Sequence, residues 1–465
     1  MITRFTFAVL HILFTASAFS ASPNILIIYV DDLGYGDTAV YGHPIVETPN
    51  IDRLAKEGVR FTQFYAPSAL CSPSRAGLLT GRTPYRTGVK SWIPDNSDVA
   101  LARDEFTIAQ LVEPLGYRTA VIGKWHLNGG LHLEDMPQPR DFGFDYQYGL
   151  AAWVKNEKAA KAKSGKLYPD NMYRNNEPVG QTNKFSAELI TDEAIDWLSS
   201  VHDEPFFLLL TYSEVHTPVA SPEKYLDQYD QFLTAESRGE PLRYYMDWAD
   251  RPSRGKGEYY ANISYMDAQM GRVLELLRQS GRLDDTLVIF SSDNGPVTSD
   301  PQEAWELNMA GETGGFRGRK RYLFEGGLRV PGIFRWPDRL ASGVSVDTPV
   351  TALDILPTIA DYLELVLPEG RAIDGQSIAG LLDEDETTSL ERSSILYWSI
   401  PTPDGMEYAV RQGPWKMILD PKGLPQYLFN LSSDRYEVNN LLQDEADRAK
   451  QLKEKFDIYR ASVEG

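Results

Sequence analysis

Asn24-Ile-Leu-Ile-Ile-Tyr-Val30, closed by Asp31-Asp32, is an apolar run that stops abruptly on two acids. Three further runs have the same form. Tyr117 to Ile122 is followed by Gly123-Lys124-Trp125-His126, Phe206-Phe-Leu-Leu-Leu-Thr-Tyr212 leads to His216, and Thr286-Leu-Val-Ile-Phe290 leads to Asp293-Asn294-Gly295. Short apolar runs alternating with longer amphipathic ones are the pattern of a parallel sheet covered by helices. In open α/β sheets ligands bind beyond the carboxyl ends of the strands, so four strands ending in polar residues can build one site.

Working outward, Thr48-Pro49 ahead of Asn50 to Gly58 predicts a helix with an N-cap and a first-turn proline. Phe185 to Ser200, Tyr259 to Gln279 and Thr351 to Leu363 carry apolar residues at helical spacing. From about Ser393 the character changes to short, turn-bounded β segments: Ile395 to Trp398, Tyr408 to Arg411, Trp415 to Leu419 and Tyr427 to Leu431. They predict a small antiparallel sheet closed by a charged helix from about Asp444 to Tyr459. Ala152 to Asn183 is lysine-rich and weakly periodic, and is read as a loop insertion. The expected fold is α/β: a large, mostly parallel central sheet flanked by helices over residues 21–392, plus a smaller α+β subdomain over 393–465.

The chain has 465 residues, 42% hydrophobic and 11% aromatic, enough apolar material to exclude a disordered or low-complexity protein. Its 66 acidic and 46 basic residues give a net charge of −20, which argues against duplex nucleic acid or an anionic membrane as a bulk partner. Cations that handle an anion must therefore be local. Met1 to Ser20 carries Arg4, an apolar stretch from Phe5 to Phe14 and small residues at Ala16, Ser17, Ala18 and Ser20. It reads as a signal peptide cleaved near Ser20 or Ala21, since the apolar part is short for a span of about 20 residues. The expected location is secreted or periplasmic, with no membrane span in the mature chain. The single cysteine, Cys71, excludes an intrachain disulfide.

The densest motif is Ala69-Leu-Cys-Ser-Pro-Ser-Arg-Ala-Gly-Leu-Leu-Thr-Gly81. A proline two residues after Cys71 and an apolar run beyond it place the cysteine at the start of a helix, where amide donors favour an anion. Arg75, four residues on, can share its face. A buried inert thiol is the plainer reading of this cysteine alone. Asp31, Asp32, Asp293 and Asn294 offer only hard oxygen ligands, two adjacent ones from each of two strand ends, which suits Ca²⁺ or Mg²⁺ and not zinc. Acids that merely cap turns are the competing reading.

Cys71-Ser72-Pro73-Ser74-Arg75 with Leu78-Leu79-Thr80-Gly81 resembles the signature of the type I, formylglycine-dependent sulfatases of the alkaline-phosphatase-like superfamily. Gly116 to His126 resembles their second signature. Asp31 to Asp37, Gly143-Phe-Asp145, His216-Thr-Pro218, Asp293-Asn-Gly295 and Lys320 with Phe324 to Pro331 extend the likeness from Asn24 to roughly Leu441. The resemblance implies that Cys71 is oxidised to formylglycine by a separate maturation enzyme reading Cys-x-Pro-x-Arg. It implies one calcium ion held by Asp31, Asp32, Asp293, Asn294 and residue 71 as formylglycine. The hydrated aldehyde attacks sulfur with one hydroxyl, and loss of a proton from the other lets the sulfate leave. By the same analogy Arg75 and Lys124 hold the nucleophile and His126 is the base. Lys320 and His216 bind sulfate and are the candidates to protonate the leaving oxygen.

The implied substrate is a sulfated carbohydrate, a polysaccharide or its oligosaccharides. The alternatives are a phosphate or phosphonate monoester hydrolase of the same superfamily, and an unmatured, non-catalytic protein that binds sulfated glycans. His43, His132 and His202 are read as structural. Arg317, Arg319 and Arg321 surround Lys320 and are either a solvated loop or a steering patch for a polyanion. Trp92, Trp153, Arg140 and Arg174 fall in loops where sugar-binding residues can reside. Asn262 and Asn430 begin glycosylation sequons of little weight. Asn128-Gly129-Gly130 departs from the family pattern beside His126, a change expected to alter the substrate pocket.

Overall fold

The computed structural model describes residues 22–151, 169–202, 204–216, 219, 221–232, 256–297, 310–383, 392 and 394–464. The expected signal peptide, Trp153, the Thr217-Pro218 part of one motif and Ser393 at the expected boundary lie outside the described residues.

Strand β1 (Asn24–Val30) is buried throughout, and its side chains alternate between two cores. Ile25, Ile27 and Tyr29 join one apolar cluster, while Leu26, Ile28 and Val30 join the other. That is why the run is apolar at every position after Asn24: a central parallel strand has no solvent face. Helix α1 (Pro49–Lys56) packs on the second face. Its first-turn amides are capped by Asp267, whose carboxylate accepts from Asn50 N at 3.2 Å and Ile51 N at 2.9 Å. Thr48 does not cap the helix; its hydroxyl instead accepts from Ala39 N at 3.0 Å. Strand β2 (Val59–Tyr65) then leads into α2 (Cys71–Thr80), every residue of which is buried.

Strands β3 (Arg118–Gly123) and β4 (Tyr146–Leu150) follow. The expected loop insertion is corrected in its described part. Met172–Arg174 (β5) and Glu177–Pro178 (β6) extend the sheet as a small hairpin, β5 pairing with β4. Strands this short have no readable alternation, so only pairing to an existing edge defines them. Helix α3 (Ser186–Ser200), β7 (Phe206–Tyr212), α4 (Lys256–Gln279) and β8 (Thr286–Ser292) agree closely with the apolar periodicity. Strands β9 (Arg329–Arg335), β10 (Val344–Val346) and β11 (Val350–Thr351) and helix α5 (Ile355–Tyr362) complete the large unit.

Among the described residues the central sheet has eleven strands in the order β10-β2-β9-β8-β1-β7-β3-β4-β5-β6, with β11 also on β2. The neighbours β8, β1, β7 and β3 are all parallel, so their carboxyl ends form one edge. Strand β9 is antiparallel to both β8 and β2. Hence β2 delivers Cys71 to the same edge, and the segment ahead of β9, which carries Lys320, enters from it.

Strands β12 (Leu396–Thr402), β13 (Gly405–Gln412), β14 (Trp415–Leu419) and β15 (Pro425–Asn430) form an antiparallel meander. One face packs on α6 (Ala446–Glu464) through Leu452 and Phe456. The other face, with Trp398, Ile418 and Phe429, packs on Tyr65, Leu70, Leu323 and Leu328 of the large unit. No helix among the described residues is long and apolar enough to cross a membrane.

Candidate active site

The end of β1 turns sharply. Asp32 sits at φ 62°, a left-handed conformation that is uncommon outside glycine and gathers at functional sites. The turn brings Asp31, Asp32 and Asp293 together, all fully buried, with one oxygen of each within 4.8 Å of the others. The Asp32 amide donates to Asp293 Oδ1 at 3.1 Å and Asn294 Nδ2 donates to Asp32 Oδ1 at 2.6 Å.

Three cations face these acids. Arg75 projects from α2 four residues after Cys71 and donates through Nε and Nη2 to Asp293 Oδ2 at 3.1 and 2.8 Å. Its Nη1 donates to the Lys124 carbonyl at 2.8 Å. Lys124 Nζ lies 2.6 Å from Asp31 Oδ2, and Lys320 Nζ lies 2.6 Å from Asp32 Oδ1. Lys124 is placed by Gly123, at φ 118°, where a Cβ would stand 1.7 Å from the Thr211 carbonyl. Only glycine lets β3 close on β7 there. The Cys71 side chain, 3% exposed, is near enough to Arg75, Lys124, Lys320 and Asp293 to act on the charge of each.

Burial opposes ionisation of Asp31, yet Lys124, His216, Arg75 and Lys320 outweigh it and hold the carboxyl well below its usual range. Burial, then the charge of Asp31, pushes Asp293 well above it. Carboxylates crowded this closely relax when they share a multivalent cation. Two buried oxygens, Asp31 Oδ1 and Asn294 Oδ1, have no hydrogen-bond partner among the described residues. An all-oxygen set with orphaned acceptors fits calcium or magnesium.

His126 also holds a left-handed backbone, φ 58°. Its Nε2 lies 3.0 Å from the Ile93 carbonyl. A carbonyl only accepts, so Nε2 carries the proton and the lone pair is on Nδ1. That atom is buried without a hydrogen-bond partner among the described residues. Burial, then Lys124 and Arg75, pushes the imidazole down to about 3, so it is neutral and free to accept a proton. His216 Nε2 lies 3.8 Å from Asp32 Oδ2, and burial pushes this ring down to about 4 despite the two acids.

The structure thus brings Asp31, Asp32, Cys71, Arg75, Lys124, His126, His216, Asp293, Asn294 and Lys320 to one place. Other sequence candidates are engaged elsewhere. Arg174 is a strand residue, which corrects its placement in a loop, and its guanidinium grips Glu193 at 2.6 and 2.5 Å. Arg140 reaches Asn176 Oδ1 at 3.3 Å. Arg317 is exposed, donates to the Glu437 carbonyl at 2.9 Å and stacks 3.9 Å from the Phe324 ring centroid, so it also braces its loop. Arg319 donates to the Val297 carbonyl at 3.2 Å, whereas Arg321 is exposed.

His43 Nδ1 accepts from Ile45 N and Val46 N, a structural role, and His132 bonds Asn96 Oδ1 at 2.7 Å. Asn128 is buried and spends its amide on Pro137 O and Gly130 N, pinning its loop instead of lining a pocket. Asn262 is fully buried within α4, inaccessible to a glycan. Sequence reasoning misses Ile93, which also donates its amide to Ser72 Oγ at 3.0 Å. An apolar residue acting through its backbone leaves no signal in composition.

Comparison with known proteins identifies the family. The family model described as Sulfatase matches residues 23–365, and one described as N-sulphoglucosamine sulphohydrolase, C-terminal, matches residues 311–462. The chain is similar to the steryl-sulfatase of Homo sapiens, 31% identical over 82% of this chain and 73% of that one. It is 29% identical to the N-acetylgalactosamine-6-O-sulfatase of Bacteroides thetaiotaomicron, over 94% of this chain and 92% of the relative. The crystal structure of Ps i-CgsB in complex with k-i-k-neocarrahexaose superposes with a TM-score of 0.76 at 26% identity, covering 93% of each chain. A family model matching most of the chain, with relatives and a solved structure matched along nearly its whole length, shows that the chain belongs to the sulfatase family, the sulfuric ester hydrolases of the alkaline-phosphatase-like superfamily.

Proposed function

We propose that this chain is an exported sulfatase that removes sulfate from a sulfated carbohydrate, with residue 71 acting as formylglycine after oxidation by a separate maturation enzyme. The observation that carries the reading is the place of Cys71, first residue of α2, among Arg75, Lys124, Lys320 and Asp293. The sulfated sugar is supported by the names of the N-acetylgalactosamine-6-O-sulfatase and of the neocarrahexaose complex.

Asp31, Asp32, Asp293, Asn294 and residue 71 would hold a calcium ion, which as a Lewis acid polarises the sulfate and orients the nucleophile. Arg75 and Lys124 fix residue 71 against the sulfur. One hydroxyl of the hydrated aldehyde gives its proton to the Asp293 carboxylate as it forms the new S–O bond, the S–O bond to the sugar breaks, and Lys320 or His216 supplies the proton to the departing alcohol. His126 Nδ1 takes the proton of the second hydroxyl, the C–O bond to sulfate breaks, and the aldehyde returns. The cations act where charge develops in the transition state.

Turnover of an aryl sulfate is expected to exceed that of the matching phosphate and phenylphosphonate monoesters by at least about 100-fold; faster phosphonate cleavage would sink the assignment. A panel of desulfation assays on defined galactan and glycosaminoglycan oligosaccharides identifies the sugar. Trp92 is 48% exposed and adjoins Ile93, whose backbone bonds both Ser72 and His126. Backbone dimensions put its Cα about 5 Å from Ser72 Oγ. It is the aromatic platform placed for a sugar ring, and Trp92→Ala is expected to raise KM for the preferred oligosaccharide about tenfold while leaving kcat within about twofold.

A further inference from the structure

Lys416 lies on β14 of the small sheet, fully buried, with Nζ 2.9 Å from both Glu325 Oε1 and Glu437 Oε1. Both acids are themselves fully buried. Glu437 reaches the large unit twice more: Oε2 accepts from Glu325 N at 2.7 Å, and its carbonyl accepts from Arg317 Nη1 at 2.9 Å. Arg317 and Glu325 are the two ends of one loop. Gly326 N donates to Arg317 O at 2.7 Å to close it, and a Cβ on Gly326 would stand 2.2 Å from Gly318 O, so the closure needs glycine.

Lys320 is carried on that loop. Its amide donates to Pro296 O at 2.8 Å, Arg321 N donates to Ala69 O at 3.0 Å, and Gly295 N donates to Gly327 O at 3.0 Å. The loop is thereby tied to the segments leading to Cys71 and away from Asn294, while its lysine meets Asp32 at 2.6 Å. From behind, Tyr65 at the end of β2 donates to Glu325 Oε2 at 2.6 Å.

Resting on the sulfatase reading of Lys320, we propose that Lys416 is a positioning residue for it. By bridging Glu325 and Glu437, with Arg329 3.4 Å from the other oxygen of Glu325, Lys416 fixes both feet of the 317–326 loop and so the height at which Lys320 meets the sulfate. The small sheet is then part of the active-site frame. Without Lys416 two buried carboxylates face each other, and their repulsion opens the loop at its base. The two acids are already set apart: burial, with the charge of Glu325, raises Glu437 to about 7, whereas at Glu325 burial is outweighed by Lys416, Arg411 and Arg329, which hold it down at about 2.

The test compares wild type, Lys416→Met, Lys320→Ala and the double variant, with inorganic sulfate as inhibitor and an aryl sulfate as substrate. Melting curves and the mass of the peptide bearing residue 71 show that each variant is folded and equally matured. Lys416→Met is expected to raise the inhibition constant of sulfate and KM about tenfold, and the double variant to lose no more than Lys320→Ala alone. A folded Lys416→Met protein with wild-type sulfate affinity, or fully additive effects in the double variant, overturns the proposal. If Lys416→Met does not fold, Glu437→Gln, which keeps the shape and weakens the ion pair, is measured in the same way; an expected rise of about threefold that vanishes on the Lys320→Ala background supports the strut. Its absence overturns it. Wild-type sulfate affinity in Lys320→Ala itself would instead overturn the assignment of Lys320.

Discussion

Replacing Cys71 by alanine is expected to lower kcat/KM for an aryl sulfate by a factor on the order of 10⁴ or more while leaving a folded protein. The side chain removed is the only group in the site able to become the nucleophile after oxidation, and none of the surrounding cations can replace it. The fold should survive because the substitution removes one atom from a buried position at the head of α2. That costs about 1 kcal/mol, against a helix whose other nine residues are also buried. Sulfate release and a melting curve on the same preparation measure the two halves. The companion experiment is mass analysis of the peptide bearing residue 71 in active protein from its native host. Oxidation to formylglycine exchanges sulfur for oxygen with loss of two hydrogens, and a peptide in which residue 71 is wholly thiol would end the covalent assignment.

Asp293→Ala is expected to remove both bound calcium and catalysis, with kcat/KM falling at least about 10³-fold. Asp293 closes the oxygen cluster with Asp31 and Asp32, and it also receives two hydrogen bonds from Arg75. Its loss leaves a guanidinium that is 3% exposed with Asp31, 3.9 Å away, as its nearest acid, a defect worth about 1–3 kcal/mol, so the melting temperature should drop as well. Atomic spectroscopy should find one calcium per chain in wild type and none in the variant. Stripping wild type with a chelator should abolish turnover reversibly, with calcium restoring it and zinc failing to, as a hard-oxygen site requires. Undiminished turnover by a calcium-free enzyme is the outcome that contradicts the ligand set.

What could be read from residues alone divides along physical lines. The central strands were legible because burial on both faces leaves an unbroken apolar run, and Lys124, His126 and His216 because each follows such a run; Arg75 and Lys320 were marked as catalytic only by the resemblance. The hairpin of Met172–Arg174 and Glu177–Pro178 was not, since five residues in two strands carry no periodicity. Lys416 sits between Trp415 and Met417 on a strand, where a lone lysine reads as a solvent-facing residue. Only the three-dimensional meeting of Glu325 and Glu437 shows that it is a buried counter-charge. Arg317 was legible as a cation but not as a structural one, because its partners, the Glu437 carbonyl and the Phe324 ring, include a backbone atom 120 positions away.

Strand β1 is made early and finished late. Asn24 meets Phe206 across a separation of 182 residues and Asp285 across 261, so the middle of the sheet waits for nearly half of the chain before its first edge is covered and for well over half before its second. Closing loops of that length makes for slow folding, during which a two-sided apolar strand stays open to aggregation and to chaperones. The same delay opens a window in time. Cys71 is sealed once α2 docks, so under the proposed maturation its oxidation belongs to the interval before the sheet closes, and conditions that hasten folding would be expected to leave more of the protein permanently inert.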